Sequence, residues 1–299
     1  MMRVSPDKIK ILIIGEEYHA KVFNQQLENY EKSIFEPKFC NNLPSSEELK
    51  HFDIFHLISS PLPVLKKLAS YSKPILYHWI GTDVHRFIND NFLKKHFKKL
   101  IINSPNVHNL VVSENLKSEM EKFSINSTIL PLTNLKVIDD LHGMPDKFSV
   151  LSYVPKTRWD FYRGDLINEL SIRLPEIDFH ILAAGNKTSG RTNLFFYDFV
   201  EDTTQFYKKC SALIRFTAHD GLPKMVLEAL SYGRQVLWNQ PFPFCIHVSD
   251  FNECLTALKK LESNCPLNIE GKKYVSDSFN ESKIIDAYYQ LCQGILFNQ

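Results

Sequence analysis

At 299 residues the chain exceeds the roughly 100–200 residues of one ordinary domain, so two domains sharing a cleft are expected. Apolar residues at 44 % and charged residues at 23 % exclude a disordered, collagen-like or disulfide-stapled protein. With 35 Lys+Arg against 34 Asp+Glu the net charge is +1, so no global basic field exists and no nucleic-acid partner is expected.

Six cysteines are scattered without a C-x-x-C pair, and the N-terminal residues carry no signal-peptide pattern. A reducing, cytoplasmic setting is therefore expected. No apolar run nears the roughly 18 residues that span a bilayer, so the chain is not expected to cross a membrane. Short β-branched or aromatic runs alternate with segments of helical period, the pattern of crossover units on a parallel sheet. The predicted order begins with a strand over 9–14, a turn at Gly15 and a helix over 18–30. Strands over 35–40, 53–59, 74–80, 108–113 and 127–131, with helices over 62–70, 92–101 and 114–123, complete a doubly wound domain. From 133 to 147 the period lapses into a polar stretch holding Gly143 and Pro145, which puts the domain boundary near residue 145. A second domain over 146–280 repeats the alternation, with strands over 149–154, 179–184, 194–200, 212–217, 235–238 and 245–248. Its helices fall over 161–174, 203–210, 224–232 and 251–261. A last helix over 281–296, within a segment 281–299, carries Ile284, Ile285, Tyr288, Leu291 and Cys292 and needs a surface to bury them.

Open parallel sheets bind ligands beyond the carboxyl ends of their strands, which directs attention to the loops there. HDGLPKMVLEALSYG (219–233) directly follows the apolar strand ALIRFT. Asp220 ends that strand's loop and Glu228, eight residues on, lies inside the next helix. A helix start offers free N–H groups to an anion, and two carboxylates can accept from sugar hydroxyls, so a phosphate-bearing, hydroxyl-rich ligand suits both.

The stretch DGLPKMVLEALSYG resembles the E-x7-E region of retaining, nucleotide-sugar-dependent glycosyltransferases of family 4, whose common form is E-G-L-P-x-x-x-x-E-A-x-x-x-G; Asp220 replaces the first Glu. TRWDFYRG (157–164) resembles the family's G-R-L-x-x-E-K-G, with Arg158 and Arg163 at the Arg and Lys positions and Thr157 in place of the first Gly. The resemblance implies the GT-B fold: two Rossmann-like, doubly wound α/β domains facing a central cleft, with the C-terminal helix crossing back to the first domain. It implies that Asp220, beside Gly221, Leu222 and Pro223, meets the donor sugar, that Glu228 holds the ribose, and that Arg158 and Arg163 meet the diphosphate. Guanidinium groups suit that task because they bind phosphate oxygens bidentately and stay charged. Either motif alone reads equally well as solvated surface charge; together, in order and in the loops the fold uses, they favour function.

In the first domain, HWIGTDV (78–84) resembles an H-G-T-D loop of relatives, which would set His78, Gly81, Thr82 and Asp83 on the acceptor side. His78 reads equally as a core histidine satisfied by backbone, and Asp83 as a helix cap. The turn Gly15-Glu16-Glu17 is the other acceptor-side candidate. GNKTSGRT (185–192) nearly spells a phosphate-binding loop, but Arg191 stands where Lys is needed and a strand-like segment follows, so that reading is rejected. No H-E-x-x-H and no D-x-D occurs, so no metal and no other cofactor is expected beyond the nucleotide sugar as co-substrate. FLKKHFKKLI (92–101) is read with Phe92, Leu93, Phe97, Leu100 and Ile101 on one face and Lys94, Lys95, Lys98 and Lys99 on the other. It is an ordinary solvated helix or a peripheral contact with anionic lipid. The expected function is retaining sugar transfer from a nucleotide diphosphate sugar to a glycan, lipid-linked or small-molecule acceptor. The alternatives are a non-catalytic scaffold subunit and a nucleotide-sugar epimerase on the same fold.

Overall fold

The structure of the chain, a computed structural model, describes residues 8–297 apart from 33, 137, 139, 141 and 186–188. It divides into two compact units: one runs to Asn134 and is taken up again at Glu281, and the other is Leu135–Asn280.

The first unit is built on β1 (Ile9–Gly15), β2 (Phe35–Phe39), β3 (Ile54–Ile58), β4 (Ile75–Trp79), β5 (Val107–Val111) and β6 (Ser127–Ile129). They form one sheet in the order β2-β1-β3-β4-β5-β6, every pair parallel. The central strands IFHLI and ILYHW are buried end to end, as a parallel sheet covered on both faces requires. The connecting helices are α1 (Glu17–Glu28), α2 (Ser46–Leu49), α3 (Leu62–Leu68), α4 (Thr82–Asn89), α5 (Asn91–Ile102) and α6 (Glu114–Glu121). Sequence periodicity does not predict α2 or α4. Asp90 separates α4 from α5: its backbone is extended, and its carboxylate accepts from the N–H groups of Phe92 and Leu93.

In the second unit β7 (Ser149–Tyr153), β8 (Asp178–Leu182), β9 (Leu194–Phe196), β10 (Ala212–Arg215), β11 (Gln235–Trp238) and β12 (Ile246–His247) pair in parallel in the order β12-β11-β10-β7-β8-β9. A short 3-10 turn (Lys156–Arg158) precedes α7 (Gly164–Arg173); α8 (Thr204–Lys209), α9 (Lys224–Ser231), α10 (Phe251–Ser263) and α11 (Ile269–Ser278) follow. One apolar layer joins the sheet to α7 and α10 through Ile167, Leu170, Cys254 and Leu258, and another joins it to α8, α9 and α11 through Phe206, Leu227, Leu230 and Val275. Helix α11 has no forecast in the sequence because only Gly271 and Val275 are buried on it.

The polar stretch after residue 133 goes with the second unit, so the division falls ten residues before the position that composition indicates. Leu135 and Ile138 join the second core, the Lys272 ammonium donates to the carbonyls of Ile138 and Asp140, and the buried Arg234 guanidinium donates to that of Gly143. The last helix, α12 (Glu281–Phe297), belongs to the first unit. Tyr288 stacks edge-on with Phe23 at 5.0 Å and bonds the His56 ring at 3.0 Å, while Glu281 accepts from Gln26 at 3.0 Å. Among the described residues no helix is long and apolar enough to cross a membrane.

Candidate functional site

In the second sheet the chain lays β8 and β9 to one side of β7 and β10, β11 and β12 to the other. The loops after β7 and β10 therefore flank the topological switch point, where open α/β sheets leave a crevice. These two loops carry the two motifs, and they are tied together: the Ala218 N–H donates to the Phe161 carbonyl at 2.8 Å.

The loop after β7 is set by an aromatic wedge. Trp159 lies against the first turn of α7 and its indole N–H donates to Asp165 at 2.8 Å. A Cβ on Gly164 would stand 2.2 Å from the Trp159 ring, so this position takes only glycine. Arg163 precedes it in the left-handed conformation at φ 50°, capping the helix by backbone alone. The exposed Arg158 guanidinium lies 4.0 Å from the centre of the Phe161 ring, and the exposed Arg163 guanidinium 5.9 Å from that of Phe216. Among the described residues neither is paired with a carboxylate, so both charges remain available to an anion.

Across the switch point Asp220 is held by a residue the motif does not include. Nε and Nη2 of Arg215, the last residue of β10, both donate to Asp220 Oδ2, at 2.8 and 2.6 Å. Oδ1 accepts from the Gly221 N–H at 3.1 Å. Burial disfavours the Arg215 charge, but Asp220 and the Tyr162 phenol outweigh it and hold its pKa above the ordinary value. Asp220 is thus an ion-paired carboxylate, with a partner that the sequence reading did not name. The missed signal was an arginine inside an otherwise apolar buried strand, which has to find a counter-charge.

Pro223 stands at the N-cap position of α9, with Gly221 and Pro223 buried and Leu222 half-buried. Glu228 is half-buried on this helix. Its Oε2 accepts from the Tyr207 phenol at 2.8 Å and its Oε1 lies 3.4 Å from the Lys224 ammonium. Burial first, and then the Glu228 charge, push the Tyr207 phenol well above its usual range, so it stays a donor. Tyr207 is also absent from the motif; it arrives from α8 only through tertiary packing.

The first-unit candidates are engaged in structure. His78 is fully buried, Nδ1 lying 3.2 Å from His56 Nε2 and Nε2 lying 2.9 Å from the Leu130 carbonyl, so it is a satisfied core histidine and not a group open to an acceptor. Burial is the main reason its pKa falls to about 3. The Asp83 Oδ1 accepts from the N–H groups of Ile80, Gly81 and Val84 at 2.9–3.0 Å, a loop cap that leaves little for a ligand. Burial nevertheless raises the Asp83 pKa above that of an ordinary carboxylate. Gly81 takes φ 133° ahead of α4, and Thr82 is exposed at its first position. Gly15 is there for close approach, since a Cβ would fall 1.8 Å from the Ile58 carbonyl oxygen. Glu16 caps α1, accepting from the His19 N–H at 2.9 Å and the His19 ring at 2.5 Å. Burial raises its pKa, but those bonds outweigh it and the net shift is downward.

No protein-family model matches the chain, and no curated protein matches it. Solved structures do. Sucrose-phosphate synthase from Thermosynechococcus elongatus superposes with a TM-score of 0.73 at 12% identity, over 98% of this chain and 100% of that one. Anabaena HepE, solved with UDP and glucose, gives 0.69 at 10% identity over 95% and 99%. The chain has the GT-B fold. It spans about half the length of S. aureus TarM, of which a variant was solved with Fondaparinux, alpha-GlcNAc-glycerol and UDP (TM-score 0.62, 13% identity, 80% of this chain and 55% of that one). The phosphate-loop look-alike at 185–192 falls partly outside the described residues, since 186–188 are not described. The segment after it is strand β9, not the helix a phosphate loop requires.

Proposed function

We propose that this GT-B protein is a glycosyltransferase that moves a sugar from a nucleotide diphosphate donor to an acceptor with retention of anomeric configuration, as the family its motifs resemble does. The observation that carries the reading is the pair of unpaired guanidiniums, Arg158 and Arg163, on the loop after β7, facing the switch point shared with Asp220. Several structural neighbours were solved with UDP, which fits a nucleotide at such a crevice. In transfer, the bond from the anomeric carbon to the phosphate oxygen breaks as the acceptor oxygen bonds to that carbon. The two arginines stabilise the charge that grows on the departing diphosphate, and that phosphate takes the acceptor proton. Glu228, fixed by Tyr207 and Lys224, holds the ribose, and Asp220 meets the sugar. The positive charge comes from these side chains, with no metal assigned a role. The acceptor is a glycan, lipid-linked or small-molecule hydroxyl.

A thermal-shift screen with UDP, GDP and ADP and their sugar esters tests the reading, because a ligand at 100 times its Kd stabilises by about 2.7 kcal/mol. One nucleoside diphosphate is expected to raise the midpoint of wild type, and Arg158→Ala and Arg163→Ala each to weaken that binding at least tenfold while the protein stays folded. Unchanged affinity in both variants would remove the diphosphate assignment.

A further inference from the structure

We infer that Arg215 is the positioning residue of the sugar subsite: it fixes which oxygen of Asp220 faces the donor sugar and how many hydrogen bonds that oxygen can still accept. The inference rests on the function proposed above. An ionised carboxylate offers about four lone-pair positions. Two of them, on Oδ2, are taken by Nε and Nη2 of Arg215 at 2.8 and 2.6 Å, and one on Oδ1 by the Gly221 N–H at 3.1 Å. One acceptor position therefore remains, on Oδ1, enough for a single sugar hydroxyl. Arg215 is itself immobilised: it is 7 % exposed, it ends a buried strand, and the Tyr162 ring covers its guanidinium at 4.8 Å. The guanidinium also neutralises the carboxylate, so Asp220 can stand near a diphosphate without repelling it. Aspartate is one methylene shorter than the glutamate of the resembled motif, and a short carboxylate anchored from behind presents one direction only. Arg215 touches no substrate in this scheme; it acts through Asp220.

The test uses the full-length protein and the nucleoside diphosphate and sugar ester selected by the thermal-shift screen. Turnover is followed as release of that nucleoside diphosphate from its sugar ester. In Arg215→Gln, turnover is expected to fall at least tenfold while the Kd for the nucleoside diphosphate stays within threefold of wild type. Asp220→Asn should behave alike, and the double variant should lose less than a further twofold, since both changes undo one contact. Losses that multiply in the double variant, or a Kd that worsens in step with turnover, would overturn the inference. If Arg215→Gln does not fold, Arg215→Lys takes its place: the cation is kept but the two-donor grip on Oδ2 is lost, and the same split between turnover and Kd is expected. Wild type that binds none of the nucleotides would instead refute the proposed function itself, before Arg215 is reached.

Discussion

Gly164 is the residue on which the geometry of the loop after β7 turns. Its missing side chain lets the Trp159 indole lie across the start of α7 and bond Asp165, which in turn sets the path of the chain between Arg158 and Arg163. Gly164→Ala places a methyl group 2.2 Å from that ring, so the ring has to leave. We expect a loss of about 1–3 kcal/mol by overpacking, read by denaturant titration, and a weaker nucleoside diphosphate. The buried histidines make a second residue-level case. The Leu130 carbonyl can only accept, so His78 Nε2 carries a proton, its Nδ1 accepts from His56 Nε2–H, and His56 Nδ1 accepts from the Tyr288 hydroxyl. His78 Nδ1 can accept only while its own ring is neutral. Burial holds both pKa values down, His78 to about 3 and His56 well below its ordinary value, where the His78 charge adds to the effect. A depressed histidine pKa gives stability that is complete above the unfolded value of about 6.5 and drains away as pH falls toward the folded value. The slope is about 1.4 kcal/mol per pH unit for each histidine. The melting midpoint of wild type should therefore drop between pH 6.5 and 4.5, and less steeply in the His56→Gln, His78→Gln double variant. Equal slopes would assign the acid sensitivity to carboxylates instead.

Helix α5 shows how far a sequence pattern reads an element and where it stops. Its limits and its buried Phe97 follow from the period, but Phe92 and Ile102 are each 63 % exposed, so Phe92 does not lie on the buried face as expected. The Lys94 ammonium sits 5.5 Å from the centre of the Phe123 ring and is only half-exposed. Among the exposed residues of α5, Phe92, Lys95, Lys99 and Ile102 form a stripe at helical spacings of 3, 4 and 3, with Asn91 and His96 exposed as well. Lysines between two bare apolar ends suit a surface of anionic lipid headgroups, so this stripe is where the peripheral contact expected from the sequence is to be tested. Wild type is expected to co-sediment with anionic vesicles at low salt and to be released as ionic strength rises, while a variant with Lys95 and Lys99 changed to Gln and Phe92 to Ser stays in the supernatant. Wild type that ignores the vesicles would make α5 a solvated face.

For the whole molecule, all four residues proposed to bind the donor lie in the second unit, which makes the expected ligand protection local. Hydrogen exchange with and without the selected nucleoside diphosphate is expected to slow at 155–163 and 216–223, the loops after β7 and β10, and to leave α12 and the first sheet unchanged. Protection concentrated in the first unit would relocate the site. That α12 belongs to the first unit follows from its aromatic seam: Tyr288 and Tyr289 meet Phe35 at 5.6 and 5.9 Å, and Asp286 pairs with Lys32 at 2.5 Å.

Period and punctuation in the sequence determined the alternation of strand and helix, the two doubly wound units, the apolar stripe of α12, the two loops that carry Arg158, Arg163 and Asp220, and the helix that carries Glu228. These are local signals, written in side-chain spacing over a few turns or pleats. Short elements without a strong stripe escaped: α4 is cut out by an Asp90 cap and α11 buries two residues. Only the tertiary structure decided what each polar group is tied to. His78 and Asp83, equally fit on paper for an acceptor or for structure, are held by the Leu130 carbonyl and by the loop's own N–H groups. Asp220 and Glu228 are held by Arg215 and Tyr207, five and 21 residues away in the chain. A buried polar group has to be paired, and spacing shows that a partner is needed without naming which residue the fold will bring to it.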